Sequence, residues 1–252
     1  MKSLYFSAAF LSSLLIFSGC SDSTSTDEKL TQAVTNARQN NWTEVKKISA
    51  EVSESNPGTI APMLLTALAY EKEGDMAKAI DLANQCVKNS PQDFTANYTL
   101  GRLYSMDIKR HTEAFSILEK ALKLSPGDTN TLILLCNLGV QRNEQATGKY
   151  LDQLLAQKKL SRVETGKIHY QKALFLANND NISDACSSMI QAAACSGKNP
   201  ELILQAARFI DNSGVNRRNA KLLYNSFIQF YKKQNDCDPA KIAEAEARMA
   251  KL

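Results

Sequence analysis

The sequence predicts an all-α fold of about six stacked antiparallel helix pairs, followed by one polar helix at the C-terminus. Two observations carry this reading. Three X-Pro dipeptides, Asn56-Pro57, Ser90-Pro91 and Ser125-Pro126, recur at intervals of 34 and 35 residues, and a fixed period of that length marks a repeated supersecondary unit. Between them the same order of small and aromatic residues returns. The first interval holds Ala67, Tyr70, Gly74-Asp75, Ala79, Cys86 and Pro91, and the next holds Leu100-Gly101, Tyr104, Ala114, Ala121 and Pro126.

The first twenty residues stand apart from this pattern. Met1 and Lys2 precede an apolar run, Leu4 to Phe17, that carries no charge and reads as an export signal. At about fourteen residues it is shorter than the roughly 20 that a membrane-spanning helix needs, and no later segment approaches that length. The run ends in Phe17-Ser18-Gly19-Cys20, which resembles the lipobox of bacterial lipoproteins, with Phe17 where Leu is usual. The resemblance implies a signal peptide over 1–19, acylation (palmitate among the chains) of Cys20, and a polar tether over 20–25. Two or more acyl chains give stable anchoring where one does not. Ser21 after the cysteine resembles the sorting pattern of outer-membrane lipoproteins, which implies a place in the cell envelope facing the periplasm. The competing reading is an ordinary signal cleaved near Gly19 with Cys20 a free thiol.

The residue types of the repeat follow from packing. Two antiparallel helices approach closely only where small side chains occupy the crossing points, and Ala67 and Gly101 serve the first helices as Ala79, Ala114 and Ala121 serve the second. Tyr70 and Tyr104 fill the space one turn later. Gly74 supplies a turn, and Pro91 and Pro126 stop the chain from continuing a helix. These residues resemble the tetratricopeptide repeat. That resemblance implies a right-handed solenoid over 26–252, with pairs at about 26–59, 60–93, 94–128, 129–160, 164–199 and 200–235 and a capping helix at 238–252.

Each further element is placed by this register. In the first pair Ala33, Val45 and Val52 take the core slots, Asn40-Asn41 the turn, and Ser25-x-x-Glu28 a capping box. Cys136 takes the small slot of the fourth pair, whose second helix, about Glu144 to Gln157, is short and matches poorly. The fifth pair has Ala173, Leu176, a turn at Asn178-Asn179-Asp180-Asn181, then Ala185, Met189 and Ala192. The sixth has Ala207, Ile210, Gly214, Ala220 and Tyr224. Asp238-Pro239 opens the last helix as N-cap and first-turn residue, and its charged side chains suit a solenoid cap.

Composition excludes several functions. With 44% hydrophobic and 22% charged residues the chain is ordinary globular material, and its net charge of +4 is spread without long basic runs, so nucleic acid is not indicated. The two histidines, His111 in the turn of the third pair and His169 on the first helix of the fifth, share no helix. No H-E-x-x-H, C-x-x-C, P-loop or G-x-S-x-G motif is present. The expectation is therefore no catalysis, no metal and no cofactor. Cys86 and Cys136 sit in core slots and read as small apolar fillers. Cys186 and Cys195 lie about 13 Å apart along one helix, beyond the roughly 7 Å that a disulfide allows. Cys195 and Cys237 close the second helices of adjacent pairs, and a bridge between them stays open.

What remains is binding. The tetratricopeptide resemblance implies a scaffold whose concave groove receives a protein or peptide, from positions three before and one after the small residue of each first helix. Those positions hold Leu64 and Leu68, Tyr98 and Arg102, Ile133 and Asn137, Tyr170 and Leu174, Leu204 and Arg208. They predict an apolar and aromatic groove with isolated positive groups, suited to an apolar or amphipathic segment, while the leucines and Ile133 equally fit a place facing the neighbouring pair as core. Length and repeat number also resemble the pilotins of type IV pilus secretins. The alternatives are a factor that positions a cell-wall or glycan-processing enzyme and, less favoured by the motif inventory, an enzyme itself.

Overall fold

The computed structural model describes residues 23–252, and the signal, lipobox and Cys20 lie outside them. The described residues are helical: α1 (Ser23–Arg38), α2 (Trp42–Ser55), α3 (Ile60–Glu73), α4 (Met76–Asn89), α5 (Phe94–Tyr104), α6 (His111–Leu124), α7 (Thr129–Arg142), α8 (Thr147–Leu155), α9 (Arg162–Asn178), α10 (Ile182–Cys195), α11 (Pro200–Ser213), α12 (Arg217–Tyr231) and α13 (Pro239–Ala250), in sequential antiparallel pairs. They divide into two compact units that part within α7, between Leu134 and Leu135.

The turns show why the chain reverses where it does. Within a pair the reversal falls on one residue in the left-handed region, Asn40 (φ 60°), Gly74 (φ 89°), Asn143 (φ 54°), Asp180 (φ 60°) or Gly214 (φ 69°). Glycine, asparagine and aspartate tolerate that conformation best. After three of these turns the next helix is capped by a side chain: Asp75 accepts from the Lys78 amide, Asn181 from the Asp184 amide and Asn216 from the Asn219 amide. The third pair differs. Ten residues rather than nine separate Tyr104 from Ala114, when Tyr70 and Ala79 are compared, and the extra length becomes a 3₁₀ turn over Ile108–Arg110. His111, expected in this turn, is instead the first residue of α6 and is buried.

In the first unit the expected core slots are filled as the register requires. Ala33, Val45, Val52, Ala67, Ala79, Cys86, Ala114 and Ala121 are buried. Gly101 is the crossing point of α5 and α6, for a Cβ there would lie 2.7 Å from Leu118 Cγ and 3.3 Å from its backbone nitrogen. Tyr104 reaches back to α4, its hydroxyl donating to Asn84 Oδ1 at 2.9 Å, while the Arg110 guanidinium lies over its ring. The Ser25–Glu28 capping box is corrected: α1 already begins at Ser23, so Ser25 lies inside the helix.

In the second unit Cys136 is buried as expected, but the closest approach of α7 and α8 is at Gly139, where any Cβ would overlap the buried Thr147. The second helix of this pair is shorter than expected, nine residues from Thr147. A capping box does occur here, Ser161 with Glu164 at the start of α9. Ala173, Ala185, Met189, Ala192, Ala207, Ala220 and Tyr224 are buried, and Ala245 of α13 packs into one cluster with Ala173, Met189, Ala207 and Tyr224. The charges of α13 do more than meet water. Lys241 pairs with Glu201, Glu244 with Arg208, and Arg248 with Asp211, all on α11. Such solvent-screened pairs add little stability, so the burial of Ala245 and the flanking Ile242 and Met249 holds the helix and the ion pairs set its register.

Candidate partner-binding face

Side chains link neighbouring first helices into one face within each unit. In the first unit Arg102 of α5 reaches Glu71 of α3; in the second Gln171 of α9 donates to Asn137 of α7, and α13 fastens to α11. The groove residues expected from sequence fall on these helices, yet the structure separates them into two groups.

In the first unit Leu64, Leu68, Tyr98 and Arg102 are all buried, and only Ile133 is half-buried. Arg102 corrects the expectation of an isolated positive group. Its Nη1 and Nη2 donate to the two Glu71 carboxylate oxygens at 2.9 and 2.6 Å, with side-chain exposures of 6% for Arg102 and 9% for Glu71. Removing two charges from water is costly, and bidentate geometry is what offsets it. Glu71 lies four residues after Ala67, one turn beyond the positions weighed in the sequence. Tyr98 stacks on Phe94 at 5.8 Å, and burial pushes its phenol up to about 12. It is a packed ring rather than an accessible polar tip.

In the second unit Asn137, Tyr170, Leu174 and Arg208 are half-buried, while Leu204 is buried. Arg208 is again not isolated, since it donates to Glu244 Oε2 at 2.6 Å. What this face offers is an apolar and amide strip, Tyr170 and Leu174 one turn apart on α9 beside the Asn137–Gln171 hydrogen bond. Beside it His169 has its pKa lowered, first by burial and then by Lys172, and its Nδ1 is buried without a hydrogen-bond partner.

The remaining chemistry is sparse. His111 belongs to the first unit and His169 to the second, and no three His, Cys, Asp or Glu side chains among the described residues come together to hold a metal. Cys86, Cys136, Cys186, Cys195 and Cys237 are free thiols. The placement of Cys237 is corrected: α12 ends at Tyr231, and Cys237 lies in the following turn rather than at the helix end where the register placed it. Burial pushes the Cys86 and Cys136 thiols up to about 12, which fits fillers and not nucleophiles.

Two models of the tetratricopeptide repeat match the chain, over residues 63–93 and 94–128. The fold is that of a tetratricopeptide-repeat protein. The matched segments are α3–α4 and α5–α6, where the sequence pattern is sharpest. Among solved tetratricopeptide structures, YrrB, described as a TPR protein with an unusual peptide-binding site, superposes with a TM-score of 0.63 at 16% identity, covering 79% of this chain and 97% of its own. Pseudomonas aeruginosa pilF gives 0.61 at 16% identity, covering 88% and 96%, and MamA 0.54 at 18%, covering 74% and 97%. Identities this low show the shared tetratricopeptide fold alone. Comparison of the sequence with curated proteins gives no match.

Proposed function

We propose that this tetratricopeptide protein is a membrane-anchored envelope scaffold that holds an apolar or amphipathic segment of a partner protein on the first-helix face of its second unit. The observation that carries the reading is the strip of Tyr170 and Leu174 beside Asn137. These side chains stay partly open to solvent while Lys172 and Arg208 are already paired with Asp152 and Glu244. A broad aromatic surface with its cations neutralised favours burial of apolar groups over charge attraction. The tetratricopeptide fold supports a binding role over catalysis, and YrrB, of the same fold, carries a peptide-binding site.

Anchoring is supported by the sequence: the apolar run ending in Phe17-Ser18-Gly19-Cys20 supplies an acylation site, and among the described residues no helix is long and apolar enough to cross a membrane. Attachment at the outer membrane facing the periplasm, and a pilotin-like role in assembling a secretin or another envelope complex, follow from the lipobox, Ser21 and the pilotin resemblance.

A photo-crosslinking residue placed at Tyr170 or Leu174 in the full-length protein tests the binding face. Adducts with one envelope protein, absent when the crosslinker sits at Ser187 on the second helix α10, are the expected result. Adducts from Ser187 alone, or capture undiminished in a folded Tyr170→Ala, Leu174→Ala variant, overturn it.

A further inference from the structure

The second unit carries a second apolar surface that the repeat pattern does not announce. A cleft of about 470 Å³ opens between the second helices α10 and α12, within the roughly 300–1,000 Å³ typical of binding pockets. Its origin is local. The C-terminal part of α10 reads Ala192-Ala193-Ala194-Cys195, and these short side chains leave unfilled the space that Leu223, Ser226 and Phe230 of α12 face from the other side, with the buried Ile203 as floor. Two of the large apolar side chains that stand exposed lie beside it. Val163 is 46% exposed and touches the Gly197 turn, and Leu222 is 55% exposed, one helical turn before Ser226.

The rim has one sign of charge. Arg162 and Lys198 line the cleft and no carboxylate does. The helix α12 carries Arg217, Arg218 and Lys221 and no acidic residue. The one carboxylate of α10, Asp184, lies in the first turn, at the opposite end of the helix, and accepts a hydrogen bond from Asn181. Both rim cations are held in place: Arg162 Nη2 donates to the Ala194 carbonyl at 2.6 Å, and Lys198 Nζ lies 5.6 Å from the centre of the Phe230 ring. The guanidinium has five N–H donors, and this contact uses one.

We propose that this cleft is a docking site for a partner peptide carrying bulky apolar side chains next to carboxylates, the apolar groups entering between α10 and α12 and the carboxylates meeting Arg162 and Lys198. Paired desolvated charges at the rim fix register, and apolar burial supplies the affinity. The site is separate from the Tyr170–Leu174 strip, so the two readings stand or fall independently.

The test uses the full-length chain in lipid nanodiscs and two short fluorescein-labelled peptides, one alternating Leu and Phe with Asp and Glu, the other with every acid replaced by Lys. Anisotropy is expected to show the acidic peptide binding at least about tenfold tighter than its lysine counterpart, a difference of about 1.4 kcal/mol. Ser226→Trp, which fills the cleft from a half-buried position, and Lys198→Glu should each weaken the acidic peptide by about tenfold or more with unchanged circular dichroism. Lys198→Glu should also improve binding of the lysine peptide, a gain that mere loss of fold does not produce. Equal binding of the two peptides, or full affinity in a folded Ser226→Trp variant, overturns the proposal. So does self-association of the chain, or binding to anionic vesicles, that Ser226→Trp abolishes while peptide binding persists, for the cleft would then serve a second copy or a lipid surface.

Discussion

Replacing Gly101 perturbs the crossing of α5 and α6 in a way the structure makes quantitative. A Cβ at this position would lie 2.7 Å from Leu118 Cγ, 2.9 Å from Cδ2 and 3.3 Å from the Leu118 backbone nitrogen, against 3.4–4 Å for an ordinary contact. Leu118 is fully buried, so rotating its side chain away only moves the overlap to another neighbour, and the backbone contact remains. Overpacking of this kind costs about 1–3 kcal/mol. In Gly101→Ala the helix propensity of alanine returns about 0.8–1.0 kcal/mol, leaving a net loss of about 0–2 kcal/mol. Gly101→Leu adds three further carbons to a closed site and should lie at or above the upper end of that cost. At about 2–4 °C per kcal/mol for a chain of this size, the leucine variant should melt about 6–12 °C or more below wild type, as followed by circular dichroism. The double variant Gly101→Ala, Leu118→Ala sharpens the test, because the added methyl partly fills the cavity that truncating Leu118 opens. Its loss should be smaller than the two single losses together by about 0.5 kcal/mol or more. Coincident melts of Gly101→Leu and wild type, or strict additivity in the double variant, would show that these two helices do not cross at Gly101.

Two further expectations follow from the structure and one from the sequence. Arg102→Met leaves the Glu71 carboxylate buried without its bidentate partner and should cost about 3–5 kcal/mol, whereas replacing both members by apolar residues should be far milder; urea denaturation of the single and double variants measures the difference, and equal losses refute the pairing. At pH 8 a thiol with a pKa of about 12 is thiolate in only about one molecule in 10,000, so Cys86 and Cys136 should resist iodoacetamide in the folded protein while the half-buried Cys195 and Cys237 react, as read by mass spectrometry before and after denaturation. Cys20→Ala should release the protein from the membrane pellet or leave unprocessed precursor, because Cys20 is the proposed acylation site and among the described residues no helix is long and apolar enough to cross a membrane; an unchanged pellet fraction sinks the anchor.

Much of the fold was legible in the sequence because the repeat imposes its demands locally. A close helix crossing needs a small residue wherever it occurs, and a tight reversal needs Gly, Asn or Asp, so Ala67, Gly101, Ala114, Gly74, Asn40 and Asp180 mark their own positions. Where the pattern weakened, the reading slipped. Gly139 went unweighed because Cys136 already filled the expected slot, and the one-residue expansion between Tyr104 and Ala114 concealed the 3₁₀ turn that draws His111 into α6.

The candidate site was legible only as a set of helix positions. Sequence register determined which residues share the first-helix face, since that depends on a 3.6-residue period along one helix. Whether a residue on that face is open, and whether its charge is free, depends on what the next helix places opposite it. Only the tertiary structure decided that Glu71 meets Arg102, that Glu244 meets Arg208, that Tyr98 is packed while Tyr170 is half open, and that short side chains on α10 leave a basic-rimmed cleft against α12. Periodicity is a property of one segment; burial, charge pairing and empty space belong to two segments at once.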